Sequence, residues 1–393
     1  MNMNYDVLIT DGHWRKSLAA VRGLGQEGVR VAVGESTWPA TGFFSKYCRK
    51  RLIYPSLLFE PEKFIGFLLK ELKSQNYRIL IPMEDATCNL IAANHEDVSN
   101  LTYLPLINKE KLEFVQRKDK VLQLAAEIGI PIPETFYIKD LDQLSELKDL
   151  LPYPVVIKPK TGAGAEGIIY SFEPGNLIAD YLKVHRLYPF PLIQGKIAGK
   201  GPGFGASFLM DENSRVMAFF VHKRLREYPV TGGASTLRES VLQDEVRQMG
   251  EALLKKLGWF GVAMVEFKYD LKDQTYKLME INPRFWGSLA LAIRAGVNFP
   301  YLLYKMACKE KFKPVEKYKV GQRCRWLLPG DLLHFIHNPN RAGLKPRFFS
   351  FFDRQTGYDI ISLKDPMPII GRILTPLTFL YDQDMQCRLA KRK

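Results

Sequence analysis

The chain has 393 residues, of which 46% are hydrophobic and 25% are charged, and its formal net charge is +14. This length allows two or three domains with ample hydrophobic core, and the composition is that of a globular protein rather than a disordered chain. The positive charge is compatible with nucleic acid, an anionic membrane surface or phosphorylated substrates, and it does not choose among them.

The five cysteines are scattered along the chain, and none forms a Cys-x-x-Cys pair. This spacing indicates neither a zinc knuckle nor a disulfide framework, and it favours free thiols in a reducing compartment. Asp6 and Asp11 interrupt the apolar N-terminal run, which is not typical of a signal peptide. The most apolar stretch near the C-terminus, residues 367–381, is too short and too interrupted to span a bilayer. We therefore expect a cytoplasmic protein.

The N-terminal part of the chain alternates strand and helix patterns. The predicted strands are 6–10, 29–33 and 78–81, and the predicted helices are 17–26, 61–74 and 86–94. Such alternation predicts a parallel sheet flanked by helices, whose ligands bind beyond the carboxyl ends of the strands. The loops at 11–15 and 83–85 follow two of these strands, so Glu84 and Asp85 are candidate substrate contacts. The alternative is that these polar residues only cap helices.

Further elements follow along the chain. One long amphipathic helix is predicted at 110–129, where Gly129 and the prolines after it end the helical pattern. The remaining predicted strands are 135–138, 155–158, several within 191–222, 262–269 and 276–282, and the predicted helices are 140–148, 239–257 and 287–307. The C-terminal residues are aromatic, basic and punctuated by proline, and we interpret them as an extension packed on the main body.

A glycine-rich segment follows the predicted strand at 155–158. Gly162, Gly164 and Gly167 fit the pattern G-x-G-x-x-G, but a strand-like run follows them, whereas a dinucleotide fold requires a helix there. The segment is therefore suited to lie over a phosphate chain, because glycine lets backbone amides approach phosphate oxygens. Lys158 ends the buried strand before it, which favours a lysine directed at a ligand. The alternative is a surface hairpin without a ligand.

Glu280, Asn282 and Arg284 occupy alternate positions and would share one face of an extended segment. Carboxylate and amide oxygens suit Mg²⁺, and arginine suits phosphate oxygens. If the strands at 262–269 and 276–282 form a hairpin, Glu266 faces Glu280, and two close carboxylates repel unless a cation lies between them. The sequence therefore predicts a magnesium site beside a phosphate. The alternatives are a solvated edge strand with an internal ion pair and, for Glu266, a solvent-facing position.

The glycine-rich segment and the Glu…Glu-x-Asn-x-Arg segment, in this order and spacing, resemble the ATP-grasp ligases over roughly residues 5–307. The resemblance implies an α/β and α+β protein with a Rossmann-like N-terminal domain, a two-lobed ATP-grasp fold that holds ATP between its lobes, and a C-terminal extension. The implied domains are 1–108, 109–190, 191–310 and 311–393.

The resemblance also implies the roles of individual residues. It assigns ATP contacts to Lys120, Lys158, Gly162, Gly164, Gly167, Gln194, Lys196 and Ile197, and metal ligation to Glu266, Glu280 and Asn282. It assigns catalytic roles to Lys158, Arg224 and Arg284, and substrate contacts to Arg226, Gly232, Gly233 and Ser235. The sequence departs from the family near Gln194, where many members have a glutamate. The alternative for the segment 221–236 is a cationic surface loop.

The implied activity is that of an ATP-dependent carboxylate–amine ligase that forms an acyl phosphate and releases ADP and phosphate, with one or two Mg²⁺ ions or Mn²⁺. We expect a small-molecule carboxylate and amine, such as an amino acid or peptide, as partners, and no nucleic acid. Two alternatives stay open. One is an ATP-grasp enzyme acting on a lipid-linked or cell-envelope saccharide substrate at the membrane surface, and the other is a non-catalytic basic protein that binds membrane or nucleic acid.

The alternatives depend on the C-terminal extension. The aromatic and basic run 347–354 and the basic tail from Arg388 are compatible with peripheral contact to an anionic bilayer. The simpler interpretation is that the aromatic residues pack onto the core. His334 and His337 lack the partners of a metal site, so we expect them to be structural. The sequence leaves the oligomeric state open, a homodimer included.

Overall fold

The computed structural model describes residues 5–162, 167–197, 199 and 201–390, with side chains described as far as residue 387. Within these residues the strands form three sheets, of four, seven and four strands. Gly164, which the sequence assigned to a phosphate contact, lies outside the described residues.

The N-terminal sheet is parallel, as the strand–helix alternation predicts. Its strands are β1 (Val7–Ile9), β2 (Val31–Glu35), β3 (Cys48–Ile53) and β4 (Ile79–Ile81), in the order β3-β2-β1-β4. The accompanying helices are α1 (Arg15–Gln26), α2 (Pro61–Ser74), α3 (Asp85–Ala92) and α4 (His95–Ser99). Alternate residues of β1 enter two different hydrophobic cores, with Leu8 in one and its neighbours Val7 and Ile9 in the other. Burial on both faces explains why these strands read as continuous apolar runs.

The predicted helix at 110–129 is wrong in one respect, because the structure divides it into α5 (Lys109–Gln116) and α6 (Lys118–Glu127). Arg117 between them has an extended backbone, with φ −88° and ψ 102°. The Lys118 N–H group donates to the Lys160 carbonyl at 2.7 Å, outside its own helix. The sequence has no glycine or proline at this break. The local feature that accompanies the break is therefore the tertiary hydrogen bond to Lys160.

A second sheet has its own core. It contains β5 (Thr135–Tyr137), β6 (Val155–Lys158), β7 (Ile169–Ser171) and β8 (Leu192–Gly195), in the order β5-β8-β6-β7, together with α7 (Gln143–Leu147) and α8 (Leu177–His185). Its buried cluster runs from Ile138 to Ile193 and shares no member with the other two described clusters. The strand predicted after the glycine-rich segment is confirmed as β7.

The third sheet is the largest. Its strands, in the order β13-β12-β9-β10-β11-β14-β15, are β9 (Gly203–Met210), β10 (Val216–Tyr228), β11 (Ala234–Ser240), β12 (Gly261–Asp270), β13 (Thr275–Asn282), β14 (Arg323–Arg325) and β15 (Thr356–Tyr358). The helices of this part are α9 (Asp244–Lys256), α10 (Leu289–Ala295), α11 (Phe299–Ala307), α12 (Leu332–His337), α13 (Pro368–Thr378) and α14 (Gln383–Ala390).

Two expectations for this region are corrected. The helix predicted at 239–257 begins only at Asp244, because Glu239 and Ser240 end β11 and pair with their neighbours in the sheet. The segment 221–236, expected as a loop, is mostly strand, since β10 runs to Tyr228 and β11 starts at Ala234. The long β10–β11 pairing satisfies the backbone groups that a loop would leave to solvent.

The C-terminal extension is part of the sheet and does not merely pack on it. β14 pairs with β11 and β15 with β14, which extends the sheet by two strands. Buried ion pairs fasten this addition: Asp359 accepts from Arg15 at 3.0 Å and pairs with the fully buried Arg238. Within the described residues, no helix is long and apolar enough to cross a membrane.

Asp359→Ala is expected to lower the free energy of unfolding by about 3–5 kcal/mol, because it leaves the buried Arg238 guanidinium without its counter-charge. Urea unfolding followed by circular dichroism measures this loss. Asp273→Ala is the control, since Asp273 forms a half-exposed pair with Lys277, and its expected cost is below about 1 kcal/mol. Equal losses in the two variants would contradict an anchoring role for Asp359.

Candidate functional site

The predicted carboxylate pair lies on a hairpin. β12 and β13 pair antiparallel with Glu266 directly opposite Glu280, as the sequence predicts, and the register shifts after Glu266. The Asn282 amide donates to the Glu266 carboxylate at 3.1 Å. Burial raises the pKa of Glu266 and the nearby Glu280 adds to this effect, although Arg224 counteracts both. The raised pKa therefore reflects mainly the removal of this carboxylate from water.

The donor set of this hairpin fits a magnesium ion. Two carboxylates and an amide oxygen are hard ligands of the kind Mg²⁺ prefers. In the described part of the chain, no group of three or more His, Cys, Asp or Glu side chains could hold a metal ion. An ion at Glu266, Glu280 and Asn282 would therefore complete its coordination with phosphate oxygens or water, as Mg²⁺ usually does in nucleotide sites.

Two lysines lie on the other side of Glu280. Lys158, the last residue of β6, is buried, and this burial, together with Lys118, lowers its pKa to about 8, against a raising effect of Glu280. The Lys118 ammonium lies 3.5 Å from the Glu280 carboxylate and donates to the Gly162 carbonyl at 2.5 Å. The positive φ of Gly162, 100°, suits the glycine found there.

Sequence reasoning missed Lys118. It selected Lys120, whose exposed ammonium lies 5.7 Å from the centre of the Phe114 ring. Both are in the basic run 117–120, and only the helix break at Arg117 shows that Lys118 faces the glycine-rich segment. Lys120 stays a predicted nucleotide contact.

Two arginines complete the surroundings of the carboxylates. Arg224 on β10 forms an ion pair with Glu266 and donates to the Gly233 carbonyl at 3.3 Å. Arg284, which follows β13, lies 2.7 Å from Asp85 at the start of α3. The strand-end loop at 83–85 and the Asn-x-Arg segment therefore meet in the structure. Burial alone would raise the pKa of Asp85, but Arg284 outweighs it and the pKa is lowered.

The other predicted ATP contacts are placed along β8 and the glycine-rich segment. The Gln194 amide donates to the Thr135 hydroxyl at 2.7 Å, so this side chain is engaged within the sheet. The Lys196 N–H donates to the Pro154 carbonyl at 3.1 Å, and its ammonium lies between the rings of Tyr170 and Phe172 at 5.4 and 5.8 Å. Ile197 is buried, and Gly167 has a φ of 69°.

Of the predicted substrate contacts, Arg226 is corrected. Its side chain is 3% exposed and lies 2.7 Å from Asp331, which also binds Arg325, so it belongs to a buried ion-pair network and not to a surface loop. The Ser235 carbonyl accepts from Arg15 at 3.1 Å. Gly232 and Gly233 form the turn between β10 and β11.

The strand-end loops bring further charged residues to this region. Lys16, at the start of α1, lies 2.6 Å from the Glu84 carboxylate and donates to the Phe285 carbonyl at 3.2 Å. A Cβ on Gly287 would lie 2.8 Å from the Arg15 guanidinium, so the chain after Arg284 passes close to α1. Sequence reasoning selected the loop at 11–15, which includes Arg15, but not Lys16, because a charge at a helix start has many ordinary uses.

Comparison with known proteins places this geometry in context. Residues 210–328 match the family model described as "ATP-grasp in the biosynthetic pathway with Ter operon".

A D-aspartate ligase of Enterococcus faecium is 26% identical over 247 residues, which are 58% of this chain and 57% of the ligase. Two solved structures share the fold. One is the biotin carboxylase domain of the Hydrogenobacter thermophilus 2-oxoglutarate carboxylase with MgADP, with a TM-score of 0.66 and 13% sequence identity. This match covers 82% of the present chain and 74% of the carboxylase domain. The other is an L-amino acid ligase of Bacillus licheniformis, with a TM-score of 0.59 and 17% sequence identity. This match covers 78% of the present chain and 75% of the ligase.

The chain is thus similar to ATP-grasp enzymes, in sequence over residues 210–328 and in fold over most of its length. The ATP-grasp family uses ATP and Mg²⁺, which agrees with the charges of the site. The chain spans just over half the length of the D-aspartate ligase and 41% of the length of a second relative, the C-terminal section of a Methanopyrus kandleri carbamoyl phosphate synthase large chain.

The affinity of this protein for a non-hydrolysable ATP analogue with Mg²⁺ is expected to fall as the pH rises through about 8. Lys158 has a lowered pKa of about 8, so its charged fraction falls roughly tenfold between about pH 7 and 9, and phosphate binds the charged form. Isothermal titration calorimetry measures the change. Lys158→Gln should bind weakly and show a flatter pH dependence, whereas the control Lys183→Gln, an exposed lysine on α8, should match the parent. An unchanged pH dependence in Lys158→Gln would exclude this lysine as the titrating group.

Proposed function

We propose that this chain is an ATP-dependent carboxylate–amine ligase that releases ADP and phosphate, with an amino acid or peptide among its substrates. The D-aspartate ligase and the L-amino acid ligase among its relatives support this substrate class. The parallel order of β1 to β4 supports a Rossmann-like N-terminal domain at 1–108. The further divisions proposed are 109–190, 191–310 and 311–393; the second sheet has its own core, which supports a separate lobe, but this core includes Ile193 of β8 and so continues past residue 190.

The observation that carries the proposal is the charge arrangement around the β12–β13 hairpin. Lys118, Lys158, Arg224 and Arg284 lie among Glu266, Glu280, Asp85 and Glu227, so four cations and four carboxylates are gathered here. If the carboxylates of the hairpin bind a metal ion, the cations that pair with them become available for an anionic ligand. Few sites other than one for a metal-bound polyphosphate require both properties in one place.

Glu266, Glu280 and Asn282 would hold the magnesium ion, which supplies charge neutralisation for the triphosphate when it is bound. The pairs Arg224–Glu266 and Lys118–Glu280 occupy the same carboxylates in the absence of ligand. Binding of the nucleotide would therefore release both cations toward phosphate oxygens. In this step the carboxylates would exchange Arg224 and Lys118 for the metal ion, and these two cations would pair with phosphate oxygens. Few buried charges would therefore be left without a partner.

The chain's own residues would then stabilise phosphoryl transfer. A substrate carboxylate oxygen attacks the γ-phosphorus, the bond to the ADP oxygen breaks, and Lys158 and Arg284 stabilise the charge that spreads over the transferring group. An amine then attacks the acyl carbon, inorganic phosphate leaves, and the amine loses a proton. Asp85, which holds Arg284 at 2.7 Å, positions this guanidinium at the end of the strand-end loop.

Glu280→Ala is expected to abolish substrate-dependent ADP release, by about 10³-fold or more, because it removes one of the two carboxylates proposed as metal ligands. A coupled assay of ADP with a panel of carboxylic acids and amines measures the loss. Glu212→Ala, an exposed position in the turn between β9 and β10, should retain full activity. Full turnover in purified Glu280→Ala protein would refute the site assignment.

The acyl phosphate has its own test. If a carboxylate labelled with ¹⁸O is the substrate, one labelled oxygen should appear in the released inorganic phosphate, because that oxygen forms the bond to phosphorus. Mass spectrometry of the phosphate detects the label. Turnover that yields only unlabelled phosphate would show that the carboxylate is not phosphorylated.

A further inference from the structure

The helix α13 has small residues on its buried side and large apolar residues on its exposed side. The side that is buried against the protein carries the small residues Gly371, Thr375 and Thr378. The exposed side carries large apolar residues, which continue just beyond the helix: Met367, Ile370, Ile373, Leu377, Leu380 and Tyr381, each between 39% and 79% exposed. A surface helix of a globular protein normally shows the opposite arrangement, with its apolar stripe toward the core.

The buried side explains how the helix can be stable in this orientation. A Cβ on Gly371 would lie 2.6 Å from the Phe44 ring, so glycine permits a close approach to the turn at 41–44. The hydroxyls of Thr375 and Thr378 donate to carbonyls of their own helix, Gly371 at 2.9 Å and Thr375 at 2.6 Å. The buried polar groups are therefore satisfied, and the close contact needs no large apolar side chain.

The exposed apolar surface continues from α13 onto the N-terminal sheet. Trp38 is 44% exposed and stacks on Phe44, the residue against which Gly371 packs. Leu58 and Phe59 are 46% and 52% exposed, and the hydroxyl of nearby Ser56 donates to Asp384 in α14 at 2.5 Å. Trp38, Leu58 and Phe59 together with the exposed side of α13 form a surface that we call the apolar face.

Exposed basic residues lie beside α13 and Trp38. Arg51 is exposed and lies 5.7 Å from the Trp38 ring, and Lys364 is exposed shortly before α13. Asp365 pairs with Arg22 at 2.8 Å, and Asp384 accepts from the Ser56 hydroxyl. Acidic side chains are present as well, since Glu60 and Glu62 follow Phe59 in the chain and Glu60 pairs with Lys63 at 2.5 Å. The sequence also has the basic residues Arg388 and Lys391-Arg-Lys393.

We propose that the apolar face docks on the surface of an anionic lipid bilayer, with α13 lying in the plane of the interface. An exposed helix face of large apolar residues with flanking lysine and arginine is the arrangement that inserts shallowly into a membrane and is held there by anionic headgroups. Charge favours a lipid surface over a second copy of the chain, because two copies would bring the basic residues beside α13 together. The inference is independent of the proposed ligase activity.

Vesicle flotation tests the proposal with the full chain. The protein should float with phosphatidylcholine vesicles that contain phosphatidylglycerol, and less with phosphatidylcholine alone or at high salt, because salt screens the headgroup charge. The double variant Ile373→Ser, Leu377→Ser should bind the anionic vesicles roughly tenfold or more weakly, since it removes two large apolar groups from the interface.

The matched control is the double variant Leu150→Ser, Leu187→Ser, because these residues are 76% and 75% exposed and lie outside the apolar face. It should float like the parent. Thermal unfolding should be unchanged in both variants, as the altered side chains are exposed.

Three results would overturn the proposal. The first is a parent protein that does not float with anionic vesicles, and the second is an α13 variant that floats as well as the parent. The third is a parent protein that binds no vesicles and is a dimer in size-exclusion chromatography with light scattering, while the α13 variant is a monomer. The last result would assign the apolar face to a second copy.

Discussion

The juxtaposition of Glu266 and Glu280 is the constraint on which the rest of this site depends. Two carboxylates held opposite each other in a buried hairpin are unfavourable unless cations surround them. The fold supplies these cations from three directions: Lys118 and Lys158 from the second sheet and its neighbouring helix, Arg224 from β10, and an arginine after β13. A structure in which charged groups compensate one another so closely can exchange them for a metal ion and a polyphosphate at modest electrostatic cost.

The C-terminal extension has a structural part and an exposed part. Its strands β14 and β15 lengthen the large sheet, and Asp359 ties them to Arg15 and Arg238. Because Arg15 also donates to the Ser235 carbonyl, this anchor borders the loops at the carboxyl ends of the parallel strands. The extension therefore supports the walls of the proposed substrate region, while α13 faces outward. Catalytic support and membrane contact would then be supplied by different parts of the same segment.

The proposed membrane contact and the proposed ligase activity concern different surfaces. The apolar face consists of the exposed side of α13 with Trp38, Leu58 and Phe59, which lie in the connections after β2 and β3. The carboxylate pair lies on the β12–β13 hairpin. Because the two sets of residues do not overlap, each property can be removed by mutation without the other.

Much of this arrangement could be inferred from residue order alone. The parallel N-terminal sheet follows from short apolar runs that alternate with helical periodicity, and the Glu266–Glu280 hairpin follows from two strands separated by a short turn. Local spacing is informative in these cases because partners lie within a few residues, or because every strand in the pattern is buried in the same way. The positions of Lys158 and Arg284 followed from the same kind of evidence.

Other features were decided only when distant segments came together. The contact of Lys118 with the glycine-rich segment depends on a helix break that a hydrogen bond to Lys160 accompanies. The role of Arg226 depends on Asp331, more than one hundred residues away. Whether an apolar side chain is buried or exposed in α13 depends on how closely Gly371 can approach Phe44. Such outcomes rest on packing and ion pairing across long sequence separations, to which the periodicity of a single segment is insensitive.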